Sequence, residues 1–98
     1  MNDKIRVNYQ ELEEFAKRCD KIGSNILENH VPGVKKDADQ IRNDALKGDV
    51  GETFADALSG PFVQSATRLG EKFKEVAADI RAAMEDMRAA DQGAGSNF

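Results

Sequence analysis

One histidine, His30, and one cysteine, Cys19, are the residues around which nucleophilic or metal chemistry would be built in this sequence. A metal held inside a helical bundle takes Glu-x-x-His from two helices. Here the segment reads Glu28-Asn29-His30, with the wrong spacing and no second histidine. Nucleophilic catalysis needs a nucleophile, a base and a group that orients the base; no serine elbow and no glycine-rich phosphate loop accompanies His30. The expectation is a protein that is not an enzyme, with no metal, no cofactor and no small-molecule substrate. Two readings stay open for each residue. His30 is either half-buried and bonded to a carbonyl freed by Pro32, or a pH-sensitive contact between chains. Cys19 is either a small buried hydrophobe or half of an intermolecular disulfide.

Both residues lie on one stripe. Leu12, Phe15, Cys19, Ile22, Ile26, His30, Val34, Ala38, Ile41 and Ala45 recur at steps of three and four, the period of one helix face. Asn8, with Glu11 three residues on, reads as a capping box that starts this helix near Tyr9. Pro32 removes an amide donor and crowds the carbonyl four residues back, so the helix either kinks there or breaks and restarts. A second stripe runs through Phe54, Leu58, Phe62, Ala66, Leu69, Phe73, Val76, Ile80, Met84 and Met87. Asp49 and Glu52 form a second candidate capping box, and Gly60-Pro61 poses the same choice between kink and break.

Between the stripes, residues 48–62 read GDVGETFADALSGPF, and the glycines there supply the freedom that an antiparallel reversal needs. The fold class is therefore all-α, a single helical-hairpin domain over residues 1–91, with residues 92–98 as a disordered tail. Folding about the midpoint places position i near 99 minus i, which sets Leu46 on Phe54, Ala38 on Phe62, Ile26 on Phe73, Cys19 on Ile80 and Phe15 on Met84. A slip of one helical turn fits nearly as well. Ala77, Ala78, Ala82, Ala83, Ala89 and Ala90 widen the second stripe beyond what one helix covers. A second hairpin would complete a four-helix bundle, with Phe54, Leu58, Phe62, Leu69, Phe73, Val76, Ile80 and Met84 as its dimer and core interface.

Composition limits the partners. A net charge of −4 over 98 residues lacks the basic excess that phosphate backbones or anionic membranes attract, so neither nucleic acid nor membrane is expected. No apolar run suits a signal peptide or a membrane span. If the protein leaves the cell, it does so without a cleavable leader, after a cytoplasmic stage.

An acidic chain of this length, with two long helices and a glycine-marked turn at its midpoint, resembles the small WXG-type proteins exported by type VII secretion systems of Gram-positive bacteria. In that family a Trp-x-Gly motif occupies the turn; here the turn reads Asp49-Val50-Gly51. A Tyr followed four residues later by Asp or Glu lies at the end of the second helix; here Met87-Arg88-Ala89-Ala90-Asp91 keeps the spacing and the acid. The resemblance implies homodimeric or heterodimeric helical hairpins, secretion, and an export signal at Met87 and Asp91 read by the secretion ATPase.

Overall fold

The computed structural model describes residues 8–46 and 48–96, and it is a helical hairpin with no strand among them. The first arm consists of α1 (Tyr9–Asn25), a wide turn over Ile26–His30, α2 (Val31–Gln40) and a second wide turn over Ile41–Ala45. The second arm consists of α3 (Asp49–Ala57), a wide turn over Leu58–Phe62 and α4 (Val63–Ser96). As the capping signal predicts, the Asn8 side chain accepts from the Glu11 amide at 3.0 Å. This satisfies one of the orphan donors that every helix start leaves.

Both prolines are absorbed without a break. Ahead of Pro32 the Val31 amide donates to the Ile26 carbonyl, five residues back. Pro61 lies inside a turn closed by the Val63 amide on the Leu58 carbonyl. Such π turns insert one extra residue, and the widening relieves the clash that a proline ring makes with an α-helical carbonyl. The insertion also rotates everything beyond it. Val31 enters the seam between the arms where an unbroken α period would have brought His30, and Val63 enters in place of Phe62.

The reversal is built from two glycines with different duties. Leu46 is extended, and Gly48 takes φ 91°, the one positive φ among the described residues; a side chain there would be strained. Gly48 is also the residue that caps α3, its carbonyl accepting from the Glu52 amide at 3.0 Å. Asp49 therefore sits inside the first turn rather than at the cap, which corrects the second capping box. Gly51 is helical and buried, and a Cβ there would overlap the Leu46 carbonyl. Its requirement is close approach, not unusual backbone.

At the other end α4 runs to Ser96, so helical backbone continues past Asp91 where the composition reads as a tail; Asn97 and Phe98 lie outside the described residues. The arms pair about two residues away from the expected register. Leu27 packs on Gly70 and Tyr9 on Arg88, pairs whose numbers add to 97 rather than 99. The chain is long and thin, 74 × 24 × 16 Å with a radius of gyration of 21.6 Å, against about 13 Å for a compact domain of this length.

Candidate protein–protein interface

Small side chains line the seam between the arms. Ala16, Cys19, Gly23, Val31 and Ala38 of the first arm are buried against Gly51, Ala55, Val63, Gly70, Ala77 and Met84 of the second. A Cβ on Gly23 would come within 2.7 Å of the Gly70 carbonyl oxygen, and one on Gly70 within 2.8 Å of Leu27 Cγ. At both positions a side chain would collide with the opposite arm, so the approach there requires glycine.

Immediately before five of these eleven residues stands a phenylalanine, isoleucine or leucine that the seam does not cover. Phe15 precedes Ala16, Ile22 precedes Gly23, Phe54 precedes Ala55, Phe62 precedes Val63 and Leu69 precedes Gly70. Phe54, Phe62 and Leu69 are each 53% exposed, Phe15 48% and Ile22 43%. The pairings of Phe54 with Leu46 and Phe62 with Ala38 as an inner core are thus corrected, because those rings face outward from the seam. Of the proposed interface residues Met84 alone is fully buried within the chain, while Leu58, Phe73, Val76 and Ile80 are half-buried. Ala77 belongs to the inner seam, whereas Ala78, Ala82, Ala83, Ala89 and Ala90 are exposed.

The opposite edge of the hairpin is ionic. Arg81 holds Glu13 at 3.3 Å and Asp20 at 3.6 Å, and Lys74 holds Asp20 at 3.2 Å. The Lys74 hydrogen bond and charge, helped by Arg81, keep the Asp20 carboxyl below the usual carboxylate range. Near the reversal Arg42 gathers Asp39, Glu52 and Asp56 at 3.2, 3.4 and 3.0 Å. Like-facing charges are thus matched within one chain along this edge.

At the open end of the hairpin the Tyr9 hydroxyl donates to Asp91 Oδ2 at 3.1 Å, and the Arg88 guanidinium lies 4.6 Å from the centre of the Tyr9 ring, a cation–π distance. Desolvation, then the bond to Asp91 and its charge, raise the Tyr9 hydroxyl above its ordinary value, with Arg88 opposing. Because helix extends beyond it, Asp91 is not in the last turn, where the macrodipole would disfavour an acid. Met87 is half-buried and lines a groove with Leu12, Phe15 and Arg18. Of the turn residues, Asp49 and Val50 are exposed, and both line a second, nearly apolar groove with Thr53, Phe54 and Ala57.

His30 is exposed rather than half-buried, carried out of the seam by the wide turn it closes. Cys19 is buried beside Ala16 and Ala77. No group of three or more His, Cys, Asp or Glu side chains among the described residues could hold a metal ion, and no helix there is long and apolar enough to cross a membrane. Sequence reasoning missed Tyr9 as a site residue, since nothing local connects it to Asp91. No family model matches the chain, and no curated protein or solved structure does so at a significant level.

Proposed function

We propose that this chain is a non-enzymatic helical hairpin that works by protein–protein interaction, as a substrate or partner of a type VII secretion system, paired with another helical hairpin in a four-helix bundle. The carrying observation is the seam itself. It is closed by small residues, which leaves Phe15, Ile22, Phe62 and Leu69 outside it, as expected of half of a shared core. The chain exposes 7481 Å², roughly 2,000 Å² more than a compact monomer of 10.7 kDa. A standard protein–protein interface covers about 800 Å² on each partner.

The secretion reading draws on the open end. The resemblance asks for an aromatic ring and an acid near the end of the second helix. Met87 stands at the aromatic position, and Tyr9 from α1 brings its hydroxyl to 3.1 Å from Asp91 Oδ2. A composite of Tyr9, Met87 and Asp91 would then be the surface offered to the secretion ATPase. A second reading, a cytoplasmic adaptor that holds the helical leader of a larger exported protein, is favoured by the apolar groove at the reversal.

The test is export from the organism that encodes the chain. Asp91→Ala should keep wild-type helicity and melting, as exposed substitutions do within about 0.5 kcal/mol, while the protein or its partner disappears from the culture supernatant. Wild-type export of this variant would sink the secretion reading in favour of the adaptor or of a structural helical-bundle component unrelated to secretion.

A further inference from the structure

The groove at the open end of the hairpin follows α1 from Asn8 to Arg18 and holds about 610 Å³. Its apolar lining is Leu12, Phe15 and Met87, and Phe15 is 48% exposed. Its charged lining is Glu11, Glu14 and Arg18, all exposed. On the ionic edge Glu13 and Asp20 are paired at 3.2 to 3.6 Å. Glu11, Glu14 and Arg18, by contrast, form no ion pair among the described residues. Uncovered apolar surface and unmatched charge thus lie side by side.

The groove begins where the chain enters α1. Residues 1–7 read MNDKIRV, in which Ile5 and Val7 alternate with Lys4 and Arg6. Asn8 is the N-cap, extended at φ −92° and ψ 93°, and its side chain accepts from the Glu11 amide. Such a cap is often accompanied by an apolar contact between the residue before it and the fourth residue of the helix, which fixes the angle of entry. Those two residues are Val7 and Leu12. Away from the cap, the charges of the groove run Glu11, Glu14, Arg18, and those of the preceding segment, read backwards, run Arg6, Lys4, Asp3. Each meets the opposite sign in that order. The lengths agree as well: residues 3–7 extended cover about 13 Å, and Glu11 to Arg18 about 10 Å of helix.

We propose that the occupant of this groove is the chain's own residues 1–7, folded back along α1 with Val7 on Leu12, Ile5 on Phe15 and Met87, and Arg6, Lys4 and Asp3 opposite Glu11, Glu14 and Arg18. An unrelated peptide could fill the apolar lining, whereas the order of three charges and the continuity of the chain at Asn8 single out this segment. The chain thus covers one end of its own apolar flank, and a partner that reaches Met87 must first displace the segment. Exposed ion pairs add little in solvent, so Ile5 and Val7 supply the hold and the charges set the register. The match ends at Arg18, and Ile22, Phe62 and Leu69 stay open. The contact is independent of export, since it stands on the groove and the segment alone.

The experiment uses the full chain purified alone, labelled at its isoleucine and methionine methyl groups. Nuclear Overhauser contacts should join the Ile5 methyls to the Met87 methyl and the Phe15 ring. Dilute hydrogen peroxide then reads the cover chemically, through sulfoxide formation located by mass spectrometry. Ile5→Asp should speed oxidation of Met87 by about 5-fold or more, the protection given by a cover that is closed most of the time. Met84, 4% exposed in the seam, should oxidise slowly in both chains. Glu14→Lys should also expose Met87, and Lys4→Glu added to it should restore the protection. Absence of the Ile5 contacts, with Met87 oxidising equally fast in wild type and Ile5→Asp, overturns the proposal. So does protection that grows with protein concentration and ignores Ile5→Asp, which would assign the groove to a second chain. Failure of Lys4→Glu to rescue Glu14→Lys overturns the register. None of these outcomes bears on export, which is read separately through Asp91→Ala.

Discussion

The two long edges of this hairpin solve the same problem in opposite ways. On one edge Glu13 and Asp20 find Arg81 and Lys74 at 3.2 to 3.6 Å, and the need for a counter-charge is met inside the chain. On the other, Phe15, Ile22, Phe62 and Leu69 are left 43 to 53% exposed. An ion pair is satisfied by one well-placed partner, and in solvent it adds little to stability. Apolar surface is satisfied only by area, at about 25 cal/mol per Å² covered. Two helices in contact along a narrow seam cannot supply that area to both flanks. The lesson is that the ionic edge is satisfied within the chain while the apolar flank is left uncovered by it.

The strongest way to break this contrast is to attack the seam rather than either edge. Gly23→Val places a side chain against the Gly70 carbonyl, which belongs to backbone and cannot rotate away, so the arms must part. A loss of about 3 kcal/mol or more is expected. Leu69→Asn, on the open flank, should cost less than about 0.5 kcal/mol in the monomer under dilute conditions, because a 53% exposed side chain loses little there. Chemical denaturation of the two variants at low protein concentration checks the pair. Equal losses would mean that the flank is covered within a single chain.

A smaller effect sharpens the ionic side. The Asp20 carboxyl is held low chiefly by its hydrogen bond and attraction to Lys74, so its contribution is present above the unfolded value near 3.8 and is lost as pH falls through the folded one. The melting temperature should hold from neutral pH to about pH 5 and decline below about pH 4, near the ordinary carboxylate range. Asp20→Asn should flatten part of that decline. An unchanged acid limb in Asp20→Asn, followed by circular dichroism, would remove Asp20 from the account.

The smallest effect is read at one atom. Tyr9 is the chain's single tyrosine, so ultraviolet absorbance reports its ionisation directly. It should titrate above the ordinary value of 10.0. Asp91→Asn should move it back only part of the way, since desolvation is the larger cause. The raised value means that the folded state holds its proton more tightly. The linked stability is thus complete below pH 10 and is lost as pH rises through the folded value. A Tyr9 titration unaffected by Asp91→Asn would dissolve the contact at the open end.

Much of the architecture is legible in the residues alone. The step of three and four marks two helical arms, Asn8 and Glu11 mark the start of the first, and Gly48 marks the reversal, because period, capping and backbone freedom are local properties. The side of each stripe that faces inward is not local. Ala16, Gly23, Gly70 and Ala77 carry almost no hydrophobic signal, yet they are what lets two backbones touch, so the eye follows Phe15, Ile22 and Leu69 and assigns them to the wrong layer. The extra residue in the wide turns before Val31 and Val63 shifts the phase by an amount that no periodic count contains. Tyr9 and Asp91 meet only because the arms close with one register over their full length. The sequence by itself determined two amphipathic arms and a hinge. The tertiary structure decided, through close approach at glycine and alanine, which apolar residues seal the hairpin and which stay exposed on its flank.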